Sequence, residues 1–67
     1  MNIGKNIRRF RKSLGLTQSQ LAERLGVTSQ AVSKWETAHS SPDISLLPAL
    51  AELFCVTIDE LIISDHK

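Results

Sequence analysis

Sixty-seven residues with one cysteine, two histidines and a formal net charge of +1 make a single small domain. Such a chain buries only about 60% of its unfolded surface, and Cys55 has no partner for an internal disulfide. No thiol cluster marks a zinc site, no apolar run reaches the ~18 residues of a membrane span, and no signal-peptide pattern appears, so a cytoplasmic protein without metal or cofactor is expected.

The apolar residues recur at helical spacing along the chain, and no stretch alternates with period two for long. Ile3, Ile7, Phe10 and Leu14 form one stripe of a first helix, which Gly15 ends in left-handed geometry. Thr17 opens a second helix and forms a capping box with Gln20. That helix turns Leu21, Ala22 and Leu25 inward and stops at Gly26. Thr28 caps a third helix with Ala31, Val32 and Trp35 on its inner side. Residues 38–43 are polar, contain Pro42 and read as a loop. Ser45 is the expected cap of a fourth helix, with Pro48 in its first turn and Leu47, Leu50, Ala51 and Phe54 as its stripe. Thr57 and Glu60 make a second capping box for a short fifth helix, with Leu61 and Ile62 inward. The fold class is all-α: five helices in one domain over 1–67, with a core of about 3–63 and a tail ending in His66 and Lys67.

Charge is unevenly distributed. Residues 1–34 carry seven cations and only Glu23 as acid, a balance of +6, whereas residues 35–67 balance at −5. A basic half points to a polyanionic partner, although Arg8, Arg9, Arg11 and Lys12 would equally serve as the solvated face of a helix.

The segment QSQLAERLGVTSQAVSKWE, residues 18–36, is the most informative. Two helices joined by a tight turn need a small residue where they cross, and Ala22 supplies it. The turn needs a residue at ease with positive φ, which is Gly26. Val27 fills the space under the turn and Val32 returns to the core, so the spacing fits a helix-turn-helix. The outward side of the third helix is Ser29, Gln30, Ser33, Lys34 and Thr37, with no acid before Glu36. Gln can grip adenine through N6 and N7, and Lys can donate to guanine or to phosphate. An ordinary solvated face has the same composition, and only the surrounding spacing argues for a reading surface.

With these residues in view, the chain resembles the lambda-repressor-like, Cro-type helix-turn-helix regulators, often called the xenobiotic-response-element family. The resemblance rests on Arg11, LGLTQSQLA (14–22), LGV (25–27), SKWE (33–36) and PDISLLPALAELFCVTIDELI (42–62). It implies a dimer that lays the third helix in the major groove of a palindromic operator in double-stranded DNA, most often as a repressor. It further implies that Thr28, Ser29, Gln30, Ser33 and Lys34 face the groove, that Gln18 touches a phosphate, and that Arg11 and Glu36 form an interior ion pair. His39 follows the third helix, where a phosphate contact and simple exposure are both open. The family commonly has Gly after the third helix and Gly or Asn after the fourth, where this chain has Ala38 and Cys55. A Cβ at a left-handed position costs about 1 kcal/mol, so either strain is tolerated or the loops run differently. Trp35 is read as core, and Cys55 as an incidental thiol. Ile58, Ile63 and Leu46 are the apolar residues left for a dimer contact. A protein-binding module with the same fold is the alternative; an enzyme is not, because no nucleophile–base pair, glycine-rich phosphate loop or metal cluster is present.

Overall fold

The computed structural model of the chain describes residues 3–63, so the terminal His66 and Lys67 lie outside the described residues. All of its regular structure is helical: α1 (Ile3–Ser13), α2 (Gln18–Leu25), α3 (Ser29–Glu36), a 3-10 turn (Ile44–Leu46), α4 (Leu47–Phe54) and α5 (Ile58–Ile62). The five expected helices are present in order.

Local signals account for the boundaries. Thr17 accepts from the Gln20 amide at 3.0 Å while the Gln20 side chain accepts from the Thr17 amide at 2.9 Å. Thr57 and Glu60 repeat the arrangement at α5, at 3.0 and 2.8 Å. Each box satisfies two amides that a helix start leaves unpaired. α1 to α4 all end in one way, with a residue in the left-handed region closing a 6→1 hydrogen bond behind it. The bonds are Leu16 N to Arg11 O, Val27 N to Ala22 O, His39 N to Lys34 O and Val56 N to Ala51 O, all between 2.9 and 3.1 Å. Glycine serves at Gly15 (φ 72°) and Gly26 (φ 74°), whereas Ala38 (φ 65°) and Cys55 (φ 59°) adopt the same geometry with a Cβ in place. The loops therefore keep the usual path, and the chain tolerates the strain.

Two expectations are corrected. Leu14 leaves the stripe of α1: the helix ends at Ser13, Leu14 is half exposed, and Leu16 packs on the core after the Gly15 reversal. Ser45 is not a cap either. Asp43 takes that part, its carboxylate accepting from the Ser45 amide at 3.0 Å and from the Ser45 hydroxyl. Those two bonds, the hydroxyl first, hold the Asp43 carboxyl below its ordinary pKa. The 3-10 turn then feeds α4, which starts with Pro48 in its first turn and no side-chain cap.

The core gathers Ile3, Ile7, Leu21, Ala22, Val32, Trp35, Leu50, Phe54 and Leu61. Phe10 seals one edge against Phe54, ring centroids 5.4 Å apart. Polar Asn6 is also buried, and its Nδ2 donates to Leu61 O at 2.8 Å and Ile63 O at 2.7 Å, tying α1 to the end of α5. α1 meets α3 still more closely at Gly4, where a Cβ would stand 2.0 Å from the Trp35 carbonyl oxygen. α1 thus holds α3 from behind and leaves its other side in solvent.

Candidate nucleic-acid interface

α2, the turn at 26–28 and α3 form a continuous helix-turn-helix, closed by the Val27 N to Ala22 O bond at 3.0 Å. α3 divides cleanly. Val32 and Trp35 are buried against α1 and α2, and on the other side Gln30, Lys34 and Thr37 are exposed while Ser29 and Ser33 are half-buried. The exposed side is polar because a helical repeat of 3.6 gathers positions 30, 33, 34 and 37 opposite the apolar ones.

Thr28 is exposed and spends its oxygen as a cap, accepting from Ala31 N at 3.1 Å, with its hydroxyl proton still available. Gln30 is held only weakly, by a 3.5 Å contact from the Ser29 hydroxyl. Its amide is therefore available to present a donor and an acceptor together, the pairing an adenine edge requires. The amides of Gln18 and Ser19 at the start of α2, and of Ser29 and Gln30 at the start of α3, have no intramolecular acceptor among the described residues. They add partial positive charge at both helix starts.

The anionic member of this region is neutralised from within. Arg11 Nε donates to Glu36 Oε2 at 2.7 Å and Nη2 to Oε1 at 3.1 Å, a two-pronged pair whose side chains are 10% and 3% exposed. Arg11 Nη1 also donates to Leu16 O at 2.8 Å, so one guanidinium ties α1, the α1–α2 turn and the end of α3 together. Gln18 joins the cluster, its Nε2 donating to Glu36 Oε1 at 3.1 Å. That bond uses one of two amide protons and leaves the second for an outside acceptor. The cluster sets Gln18 at a fixed distance from α3 and turns the Glu36 charge inward, so that no free carboxylate stands on the outer side of α3.

Two residues that matter to this geometry, Gly4 and Asn6, escaped the sequence reading. Gly4 and Asn6 position α1 against α3 and α5, and their signal was present: a glycine and a polar residue sit beside the apolar stripe. Thr37 and His39 were both singled out in the sequence, but the 2.8 Å bond that joins them at the end of α3 had no signal there.

Comparison with known proteins agrees with the geometry. A family model described as helix-turn-helix matches residues 7–61. The chain is 40% identical over 62 residues to the HTH-type transcriptional activator BcrR of Enterococcus faecalis, covering 92% of this chain and 30% of that protein. It is 32% identical to the HTH-type transcriptional regulator ImmR of Bacillus subtilis, covering 98% of this chain and 52% of that protein. The chain thus spans about half or less of the length of these relatives. Among solved structures, the P22 c2 repressor in complex with a synthetic operator superposes with a TM-score of 0.85 at 33% identity, covering 94% of this chain and 96% of that one. The amino-terminal DNA-binding domain of SinR from Bacillus subtilis gives 0.84 at 30% identity, covering 97% and 96%.

Proposed function

Because the chain belongs to the helix-turn-helix family of lambda-repressor type, we propose that it is a sequence-specific regulator of transcription. It lays α3 in the major groove of double-stranded DNA and represses by covering a promoter. The observation that carries the reading is the outer side of α3, polar, free of uncompensated acid and flanked by unpaired amides. In this reading Gln30 addresses an adenine edge, and Lys34 a guanine edge or a phosphate. Thr28, Ser29 and Ser33 fill in around them, and Gln18 gives its second amide proton to a phosphate. The chain is a DNA-binding regulator and not an enzyme, acts in the cytoplasm, and needs no metal or cofactor for this binding.

The active species is a two-fold homodimer on a palindromic operator. One α3 covers only a few base pairs, too little information to single out one site, and a dyad places the second copy one turn of DNA away, about 34 Å. Ile58 and Ile63, 39% and 54% exposed, support the contact, and Leu46, half-buried on the core, is the third apolar candidate. That arrangement turns the acidic half away from DNA.

A salt titration on a selected operator tests this reading. Six to ten neutralised phosphates per dimer imply a ~10³–10⁵-fold loss of affinity from about 50 to 200 mM salt. Little salt dependence would favour a protein partner on the same face. Gln30→Ala is expected to lose about 1–3 kcal/mol of discrimination at one base pair per half-site. Equal losses on every operator variant would count against a base-reading role. Ile63→Glu is expected to abolish dimeric binding, and full affinity of one protomer per operator would rule the dimer out.

A further inference from the structure

Resting on that DNA-binding reading, we infer that His39 is a proton-dependent donor to the DNA backbone, a contact made by its imidazolium form and lost by the neutral ring. Its backbone is held firmly, because the amides of His39 and Ser40 both donate to Lys34 O, at 2.9 and 3.3 Å. Its ring is held as well, with Nδ1 2.8 Å from Thr37 Oγ1.

The hydrogen bonds around Thr37 decide which ring nitrogen carries the proton. Thr37 Oγ1 lies 3.0 Å from Ser33 O and 3.4 Å from Lys34 O, and carbonyl oxygens only accept. The single hydroxyl proton therefore goes to the Ser33 carbonyl. The 2.8 Å contact then requires the ring to donate, so the neutral imidazole carries its proton on Nδ1 and leaves a bare lone pair on Nε2. A second proton enters at Nε2, on the far edge of an exposed ring. One proton thus turns an acceptor, which repels a phosphate oxygen, into a cationic donor that binds it. Histidine is the side chain whose change of charge falls nearest neutral pH.

Ring and amides stand at the carboxy end of α3. The charges of the neighbouring elements are Lys34 and Glu36 on α3, Lys5 on α1 beside the Gly4 crossing, and Asp43 in the loop. Glu36 is taken by Arg11 and Gln18, and Asp43 binds Ser45. Among the described residues the His39 ring has no ion-pair partner, so its added charge stays available to an outside anion. Reach is adequate too. An eight-residue helix is ~12 Å long, the major groove is about as wide, and the amino end of a recognition helix meets the bases. The carboxy end then stands at the sugar-phosphate wall.

A unit charge about 4 Å from a phosphate in water changes affinity roughly fivefold, or ~25-fold for two protomers. The test measures affinity for a selected operator at pH 6 and pH 8, for wild type, His39→Gln, His39→Lys and His66→Gln, the last removing the other histidine. Wild type and His66→Gln should bind on the order of tenfold or more tighter at pH 6. His39→Gln should bind equally at both, and His39→Lys tightly at both. The wild-type salt slope should steepen at pH 6 by about 0.9 per protomer. A pH gain that survives His39→Gln, or a wild type indifferent to pH, overturns the proposal while leaving DNA binding intact. Failure of wild type to bind any duplex overturns both. Nitrogen-15 spectra of the free protein add a check without DNA: the neutral ring should carry its proton on Nδ1, and an Nε2-protonated ring would contradict the geometry.

Discussion

Replacing Arg11 by Met keeps much of its length and removes its charge, which isolates the Arg11–Glu36 pair. The Glu36 side chain is 3% exposed and accepts three hydrogen bonds, two of them from Arg11. Without Arg11 only the Gln18 amide remains, and a carboxylate buried with one neutral donor costs about 3–5 kcal/mol. The Leu16 carbonyl loses its donor as well, at roughly 1 kcal/mol. A domain of this length has a total stability of roughly 3–10 kcal/mol, so the substitution removes about half of it or more. The melting temperature should fall by ~15 °C or more. Glu36→Gln should cost less, about 2 kcal/mol, because it keeps a neutral acceptor and the Arg11 guanidinium is somewhat more exposed than the acid. Urea unfolding followed by circular dichroism, on both single variants and the double, gives the coupling, expected at about 2 kcal/mol or above. Burial also predicts that 1 M salt changes that coupling little. A coupling near zero, or a loss below about 1 kcal/mol for Arg11→Met, would show that the pair is wet and contributes nothing.

Cys55→Gly and Ala38→Gly should each stabilise by ~0.5–1 kcal/mol, since both side chains are exposed and both residues sit at positive φ; a loss in thermal melts would contradict strain there. Gly4→Ala should destabilise by about 1–3 kcal/mol, against the ~1 kcal/mol gain that alanine brings to an unconstrained helix, because its Cβ meets the Trp35 carbonyl. A neutral or stabilised protein in urea unfolding would place α1 farther from α3. Asn6→Leu should cost about 2–3 kcal/mol by stripping two carbonyls of their donor, and should raise hydrogen exchange first in α5. Uniform exchange across the chain would argue against a tie between α1 and α5.

What could be read from the sequence were features with one local cause. The two capping boxes depend on residues three apart, and Gly15 and Gly26 announce left-handed turns by lacking a Cβ. The stripes Leu21–Ala22 and Val32–Trp35 belong to a period of 3.6, which forms the helix-turn-helix whatever packs behind it. Features with a distant cause were not legible. Leu14 fits the α1 stripe by spacing, yet the Gly15 reversal gives its place to Leu16. Ser45 and Asp43 are both good caps, and a 3-10 turn that begins two residues earlier selects Asp43. Asn6 is buried because it meets carbonyls 55 and 57 residues away, a pairing that only the assembled fold creates. Ala38 and Cys55 stand where no glycine announces a left-handed turn, yet His39 N to Lys34 O and Val56 N to Ala51 O close both turns. At the candidate interface, the polar outer side of α3 follows from helical periodicity, whereas Gln18 reaching Glu36 across 18 positions does not.

Base reading by α3 in the major groove is what the proposed function depends on. Its most direct test is selection of bound molecules from a pool of random duplex DNA, followed by sequencing. Enrichment of a dyad-symmetric motif whose half-sites lie about one helical turn apart is the expected result. A second selection with Gln30→Ala should relax the preference at one base pair in each half and leave the others as they were. A recovered pool no different from the starting one, under salt conditions where the protein binds duplex, would contradict the claim.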